Sequence, residues 1–183
     1  MTRDEILERF AGVVAQSLRI DAAEVKPDVT LTTLGAESID IVEITMEVEH
    51  EFGVLMPERS ILETAAGVLG EGVVTSEGHV TEIGRQLLAS RMPETDVGTL
   101  PDPLPVRRLG EVFTRVDVWL RLIADLAAAS PRECSTCRVP LRPGSAGSMR
   151  CSRCAREYDL PSGDDVNRAW VGQWARDRGL PSR

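Results

Sequence analysis

The stretch Leu34–Gly53, LGAESIDIVEITMEVEHEFG, holds six carboxylates and no lysine or arginine, yet carries enough apolar residues to bury one face. Ser38 is placed to open a helix, because a serine at an N-cap accepts a backbone N–H, and Asp40 and Glu43 suit the positive end of the helix dipole. Gly53 is placed to end it. Projected at about 100° per residue, Ile41, Ile44, Val48 and Phe52 fall in one narrow arc, the stripe of a helix packed on a core. The opposite arc holds Ile39, Val42 and Met46, interleaved with Asp40, Glu43 and Glu47, and Glu37 precedes the serine. His50 projects to the same side. Scattered exposed apolar residues need no explanation, but three in a stripe edged by carboxylates read as a docking face for basic partners. The acids would steer encounter and the apolar trio would bind.

The surrounding chain is divided in charge. Residues 1–100 hold 19 acids against 7 bases, a net of −12, whereas residues 101–183 hold 10 against 14, a net of +4. Two halves of opposite sign suggest two jobs. No apolar run approaches the roughly 18 residues of a membrane span, and the charged N-terminus MTRDEILERF does not read as a signal peptide, so a cytoplasmic location is expected. Helical spacing predicts a first amphipathic helix over residues 3–19, with Ile6, Leu7, Phe10, Val13, Val14 and Leu18 facing inward. Pro57 introduces a short apolar segment at Ile61-Leu62, and Thr75-Ser76-Glu77 reads as the start of a polar helix running to Arg91. Met92 to Pro105, with four prolines, reads as a surface connection. A longer helix is expected from Val106 to Ala129, with Leu109, Val112, Val116, Leu120 and Ile123 on one face.

The residues Gly35-Ala36-Glu37-Ser38-Ile39-Asp40, followed by Val42, Glu43, Met46, Glu49, Phe52 and Pro57, resemble the acyl carrier proteins of fatty-acid and polyketide synthesis. The family motif Gly-x-Asp-Ser-Leu appears with Glu37 for the aspartate and Ile39 for the leucine. The resemblance implies that Ser38 receives a 4′-phosphopantetheine arm whose thiol carries the acyl group as a thioester. A helix N-terminus suits the phosphodiester of that arm, since its free N–H groups and dipole favour an anion. A hydrolase nucleophile is disfavoured, because no Gly-x-Ser-x-Gly elbow is present and His50 and His79 are the sole candidate bases. The family's last-helix segment is best matched by Phe113-Thr114-Arg115-Val116-Asp117-Val118, about fifty residues late. The implied fold is mainly α: a four-helix carrier bundle with an insertion of about residues 69–105 before its last helix. The alternative puts that helix at Thr81 to Leu88.

The second signal is CSTCRVPLRPGSAGSMRCSRC, in which Cys134, Cys137, Cys151 and Cys154 form two Cys-x-x-Cys knuckles thirteen residues apart. Four thiolates converging from two knuckles make a tetrahedral zinc site, and the stretch resembles a zinc ribbon built on a short hairpin, Val139 to Met149. A redox Cys-x-x-Cys would need a βαβ unit around it, and a rubredoxin-like iron site shares the four thiolates. A closed four-sulfur site is structural, holding together a segment too small to fold by burial alone. Arg132, Arg138, Arg142, Arg150, Arg153 and Arg156 surround it, but no stacking aromatics are interleaved, so acidic protein surface is the expected partner and nucleic acid is not. Trp170 and Trp174, on a C-terminal helix, are expected to cover the ribbon.

These readings divide the chain into a carrier domain, residues 1–130, and a ribbon with its helix, residues 131–183. The resemblance implies a non-catalytic carrier, modified by a phosphopantetheinyl transferase and serving ketosynthase, acyltransferase or ligase enzymes. An adaptor with an unmodified carrier fold, binding through its ribbon, is the alternative class. A peptidyl carrier loading amino acids is a third.

Overall fold

The computed structural model describes residues 1–144 and 147–181. Helix α1, Arg3–Leu18, begins at a capping box: Glu5 N–H donates to Thr2 Oγ1 (3.2 Å) and Thr2 N–H donates to the Glu5 carboxylate (2.7 Å). It buries Ile6, Phe10, Ala11 and Val14. Helix α2, Ser38–Phe52, buries Ile44 and Val48 and ends at Gly53 with φ 62°. Helices α3, Ile61–Leu69, and α4, Glu82–Arg91, follow, then a single turn α5, Gly110–Phe113, and α6, Val116–Ala129. The chain closes with α7, Gly163–Asp177. Two small antiparallel sheets lie between them: β1 Thr75–Ser76, β2 His79–Val80 and β3 Leu104–Pro105 in one, β4 Leu141–Pro143, β5 Ser148–Cys151 and β6 Glu157–Asp159 in the other.

Burial separates two helical cores. The first joins α1, α2 and α6, with Phe10, Ile44, Val48, Trp119, Leu120 and Ile123 at its centre. Phe10 and Trp119 meet with ring centroids 5.6 Å apart. The second joins α3, α4, the first sheet and α7, through Ala65, Leu87, Leu88, Leu104, Leu109 and Val171. α6 therefore packs with α1 and α2, whereas α4 belongs to the other core together with α3, which the expected four-helix bundle had placed beside α1 and α2.

The single helix expected over 106–129 is broken. Residues Val106–Leu109 form a 3-10 turn, α5 adds one turn, and α6 starts afresh at Val116. The loop after α1 makes the break: Leu31 N–H donates to Thr114 O, Val116 N–H to Val29 O and Asp117 N–H to Pro27 O, each at 2.9 Å. The last two are first-turn donors of α6 that no helical carbonyl can meet, so the loop serves as its cap. Leu109 and Val112 consequently fall in the second core, while Val116, Leu120 and Ile123 fall in the first.

The helix expected from Thr75 is also corrected. Glu77 (φ 50°) and Gly78 (φ 77°) both take left-handed backbone, the pairing that a two-residue hairpin turn requires, so β1 and β2 form there instead. Helix α4 opens later, where Thr81 Oγ1 accepts from Gly84 N–H at 3.1 Å. The segment from Met92 to Pro105 is not a bare surface connection: it buries Met92, Val97 and Leu104. Arg85 pins it by donating to the carbonyls of Val97, Leu100 and Pro101.

Trp170 and Trp174 do not cover the ribbon. They stack on each other, centroids 6.5 Å apart, against the second core. The apolar surface of α3 and α4 is far larger than the ribbon's, whose own interior is Leu141 with Cys134 and Cys151. The start of α7 is pressed onto the loop after α2: Gly163 N–H donates to Leu55 O at 2.9 Å, and a Cβ on Gly163 would stand 2.3 Å from Pro57 N.

The expected hairpin is present as β4 and β5, with β6 as a third strand that the sequence reading did not foresee. Its tip, Ser145 and Ala146, lies outside the described residues.

Candidate functional site

Ser38 is the first residue of α2, not its cap. Glu37 occupies the cap position in extended backbone, and its N–H donates to the Asp40 carboxylate at 2.7 Å. The first intrahelical donor is Ile41 N–H, to Glu37 O at 3.1 Å, which leaves the N–H groups of Ser38 and Ile39 at the open end of the helix. The Ser38 side chain is exposed, and its hydroxyl makes no hydrogen bond among the described residues. A hydroxyl that is neither buried nor committed, beside free N–H donors, fits a phosphodiester linkage.

Along the outer face of α2, Ile39, Val42 and Met46 are 70%, 55% and 64% exposed. Glu37, Glu43 and Glu47 are exposed between them, Asp40 is half-buried, and His50 lies exposed near the far end. Among the described residues none of these carboxylates has an ion-pair partner; the basic residue that reaches α2, Arg9, pairs with Glu51. The helix thus presents three large apolar side chains within an unneutralised acidic field.

Its inner side borders a cavity of about 290 Å³, lined chiefly by apolar residues that include Ile41, Met56, Ile61, Met92, Phe113 and Trp119. Thr45 of α2 also lines it. At about 100° per residue Ser38 and Thr45 lie within roughly 20° of one another, so the serine stands on the helix stripe that continues along the cavity. Glu58, Arg59, Ser60, Thr114 and Arg121 add polar groups to the lining, and two more come from distant helices, Arg91 from α4 and Asn167 from α7. Sequence reading found neither, since they are distant in the chain and belong to no motif.

The four cysteines are reduced and converge, with all Sγ atoms within 4.8 Å of one another. Cys134 Sγ and Cys154 Sγ are 3.7 Å apart, close to the roughly 3.8 Å that tetrahedral Zn–S bonds of about 2.3 Å require. The two knuckles are alike. Arg138 N–H donates to Cys134 O and Ala155 N–H to Cys151 O, and Arg138 (φ 53°) and Ala155 (φ 59°) both take left-handed backbone. N–H groups of Cys137, Arg153 and Cys154 approach Sγ of Cys134 or Cys151 at 3.4 Å. The Tyr158 hydroxyl donates to Cys134 Sγ at 3.3 Å, and with the Cys137 N–H brings that thiol down to about 6. Cys151 is lowered by the Cys154 N–H, while hydrogen bonding to Cys154 pushes Cys137 up to about 12. Four sulfurs so close resist ionising together, and a divalent cation offsets that repulsion. The donor set therefore fits zinc.

Around this centre Arg132, Arg138, Arg142, Arg150, Arg153 and Arg156 are exposed, with Arg142, Arg150 and Glu157 opposite one another across the sheet. No helix among the described residues is long and apolar enough to cross a membrane.

The family described as "Phosphopantetheine attachment site" matches residues 8–69, which span α1 to α3. The fold and this match define a carrier of a phosphopantetheine arm. An acyl carrier protein of Thermosynechococcus vestitus is 39% identical over 72 residues, covering 38% of this chain and 89% of that protein. The chain belongs to the acyl carrier protein family. No solved structure matches it significantly.

Proposed function

We propose that Ser38 is the attachment point, and that the chain carries an acyl intermediate as a thioester on a 4′-phosphopantetheine arm, delivering it to enzymes of fatty-acid or polyketide type. The observation that carries this reading is the exposed, unengaged Ser38 hydroxyl at the open end of α2, inside the matched segment 8–69. Ile39, Val42 and Met46, with Glu37, Asp40, Glu43 and Glu47, form the face that basic surfaces of the transferase and the synthase, acyltransferase or ligase partners would contact. The apolar cavity beside α2 favours an acyl cargo over an aminoacyl one, because a hydrocarbon chain gains by leaving water and an ammonium group loses. The chain itself performs no chemistry in this reading; the thiol it bears is the arm's.

Intact mass after incubation with a phosphopantetheinyl transferase and coenzyme A tests it. The expected outcome is a gain of one arm per chain, absent in Ser38→Ala. A protein that gains nothing, or a Ser38→Ala variant that gains as much, would overturn the assignment and leave an adaptor working through its ribbon.

A further inference from the structure

The four sulfurs of the ribbon are not equivalent. Cys134 and Cys151 are 0% and 1% exposed, and each sulfur accepts two hydrogen bonds. Cys134 Sγ accepts from Cys137 N–H (3.4 Å) and the Tyr158 hydroxyl (3.3 Å), and Cys151 Sγ from Arg153 N–H and Cys154 N–H, both at 3.4 Å. Cys137 is half-buried and Cys154 is exposed, and among the described residues neither of their sulfurs accepts from an N–H or a hydroxyl. A hydrogen bond donated to a sulfur draws electron density from it and lowers its nucleophilicity, so charge stays concentrated on the two sulfurs that receive none. Susceptibility to oxidation follows thiolate character and access together, and Cys154 leads on both. Arg153 and Arg156 flank it in the chain and are exposed, a cationic surrounding of the kind in which reactive cysteines sit.

We propose that Cys154 is an oxidation site for hydroperoxides, with Cys137 as its resolving partner, and that their reaction discharges the ribbon's metal. The Cys154 sulfur attacks one peroxide oxygen: an S–O bond forms, the O–O bond breaks, and the departing hydroxide takes up a proton to become water. Cys137 then attacks the Cys154 sulfur: an S–S bond forms, the S–O bond breaks, and a second hydroxide is protonated in turn. The two thiolates lose two electrons, the peroxide gains them, and two of the four ligands are gone. All four Sγ atoms lie within 4.8 Å of one another, so both partners are at hand. Cys134 Sγ, 3.7 Å from Cys154 Sγ, is at hand too, but it is buried and held by its two donors. The ribbon depends on its metal for order, whereas α2 belongs to a separate core, so oxidation would undo the arginine-bearing module and leave the serine-bearing helix in place. The proposal is independent of any arm on Ser38.

The test exposes the full-length, zinc-loaded protein to hydrogen peroxide, with a colorimetric chelator reporting zinc release and peptide mass locating the modified cysteine. With dimedone present to trap sulfenic acid, the first adduct is expected on Cys154. Without it, a Cys137–Cys154 disulfide is expected, with zinc released in step. Cys154→His keeps a fourth ligand of a kind that zinc accepts but removes the attacking sulfur, and should retain its metal through the exposure that strips the parent. A first adduct on Cys134 or Cys151, or a parent that takes up no zinc or keeps it under peroxide, would overturn the proposal. A disulfide from Cys154 to Cys134 would overturn the role given to Cys137. These results on the parent stand even if Cys154→His fails to fold, and a folded Cys154→His that releases zinc as fast as the parent would overturn the proposal as well.

Discussion

Gly163 is a residue whose missing side chain decides how two parts of the chain meet. With Pro57 N at 2.3 Å from where a Cβ would stand, Gly163→Ala must push α7 away from the loop after α2. Urea unfolding should register a loss of about 1–3 kcal/mol, the usual cost of overpacking; unchanged stability would mean that the contact is slack. No signal for that contact exists in the sequence, where Gly163 reads as one more loop glycine. Ser38 at the start of α2 and the convergence of the four cysteines were legible for the opposite reason: helix starts and Cys-x-x-Cys knuckles are fixed by spacing between near neighbours, which a sequence displays directly. Arg91 and Asn167, 76 positions apart, meet because helices pack, and that meeting has no local trace.

At the scale of elements, caps and periodicity carried most of the helices, and the errors fell where tertiary contacts overrode them. The run from Val106 to Ala129 has continuous helical periodicity, but the backbone of residues 27–31 claims the groups on either side of Arg115 and divides it. At Thr75 a start signal lost to the hairpin turn at Glu77 and Gly78. Helix α3 offers an element-level prediction. Glu63 accepts from Ser60 N–H (2.7 Å) and Ser60 Oγ (2.8 Å), and those bonds hold its carboxyl below its ordinary value of 4.5. The lowered value means that the cap stabilises the fold fully above pH of about 4.5 and loses its effect as the pH falls through the folded-state value. Glu63→Gln should therefore be less stable than the parent at neutral pH, with the difference shrinking below about pH 4.5. A difference that stays constant across that range would rule the carboxylate out as the stabilising group. Ser60 and Glu63 stand three apart before an apolar run, the spacing by which a capping box is readable in a sequence.

The described residues form two helical cores and a ribbon, and the second core joins α3 and α4 to α7, across the boundary at residue 130 that the change in charge suggested. How they join was not visible in the sequence. The ribbon buries little beyond Leu141, Cys134 and Cys151, so its order should depend on its metal. Purified protein is expected to hold one zinc per chain, and chelation should abolish hydrogen-exchange protection in β4, β5 and β6 while α1 and α2 keep theirs. Unaltered protection in those strands would show a ribbon that stands without metal.

The grip of α7 on the neighbouring loop has a practical corollary for anyone wishing to work with a minimal fragment. Stopping synthesis after residue 130 would discard Val171, Trp174 and Ala175, baring the flank of α3 that they shield, and would unfasten Leu55 and Pro57 from Gly163. What remained would be a wounded protein with a greasy side, so trimming is no route to a free-standing miniature, and the tail is as much a part of the scaffold as the serine-bearing helix.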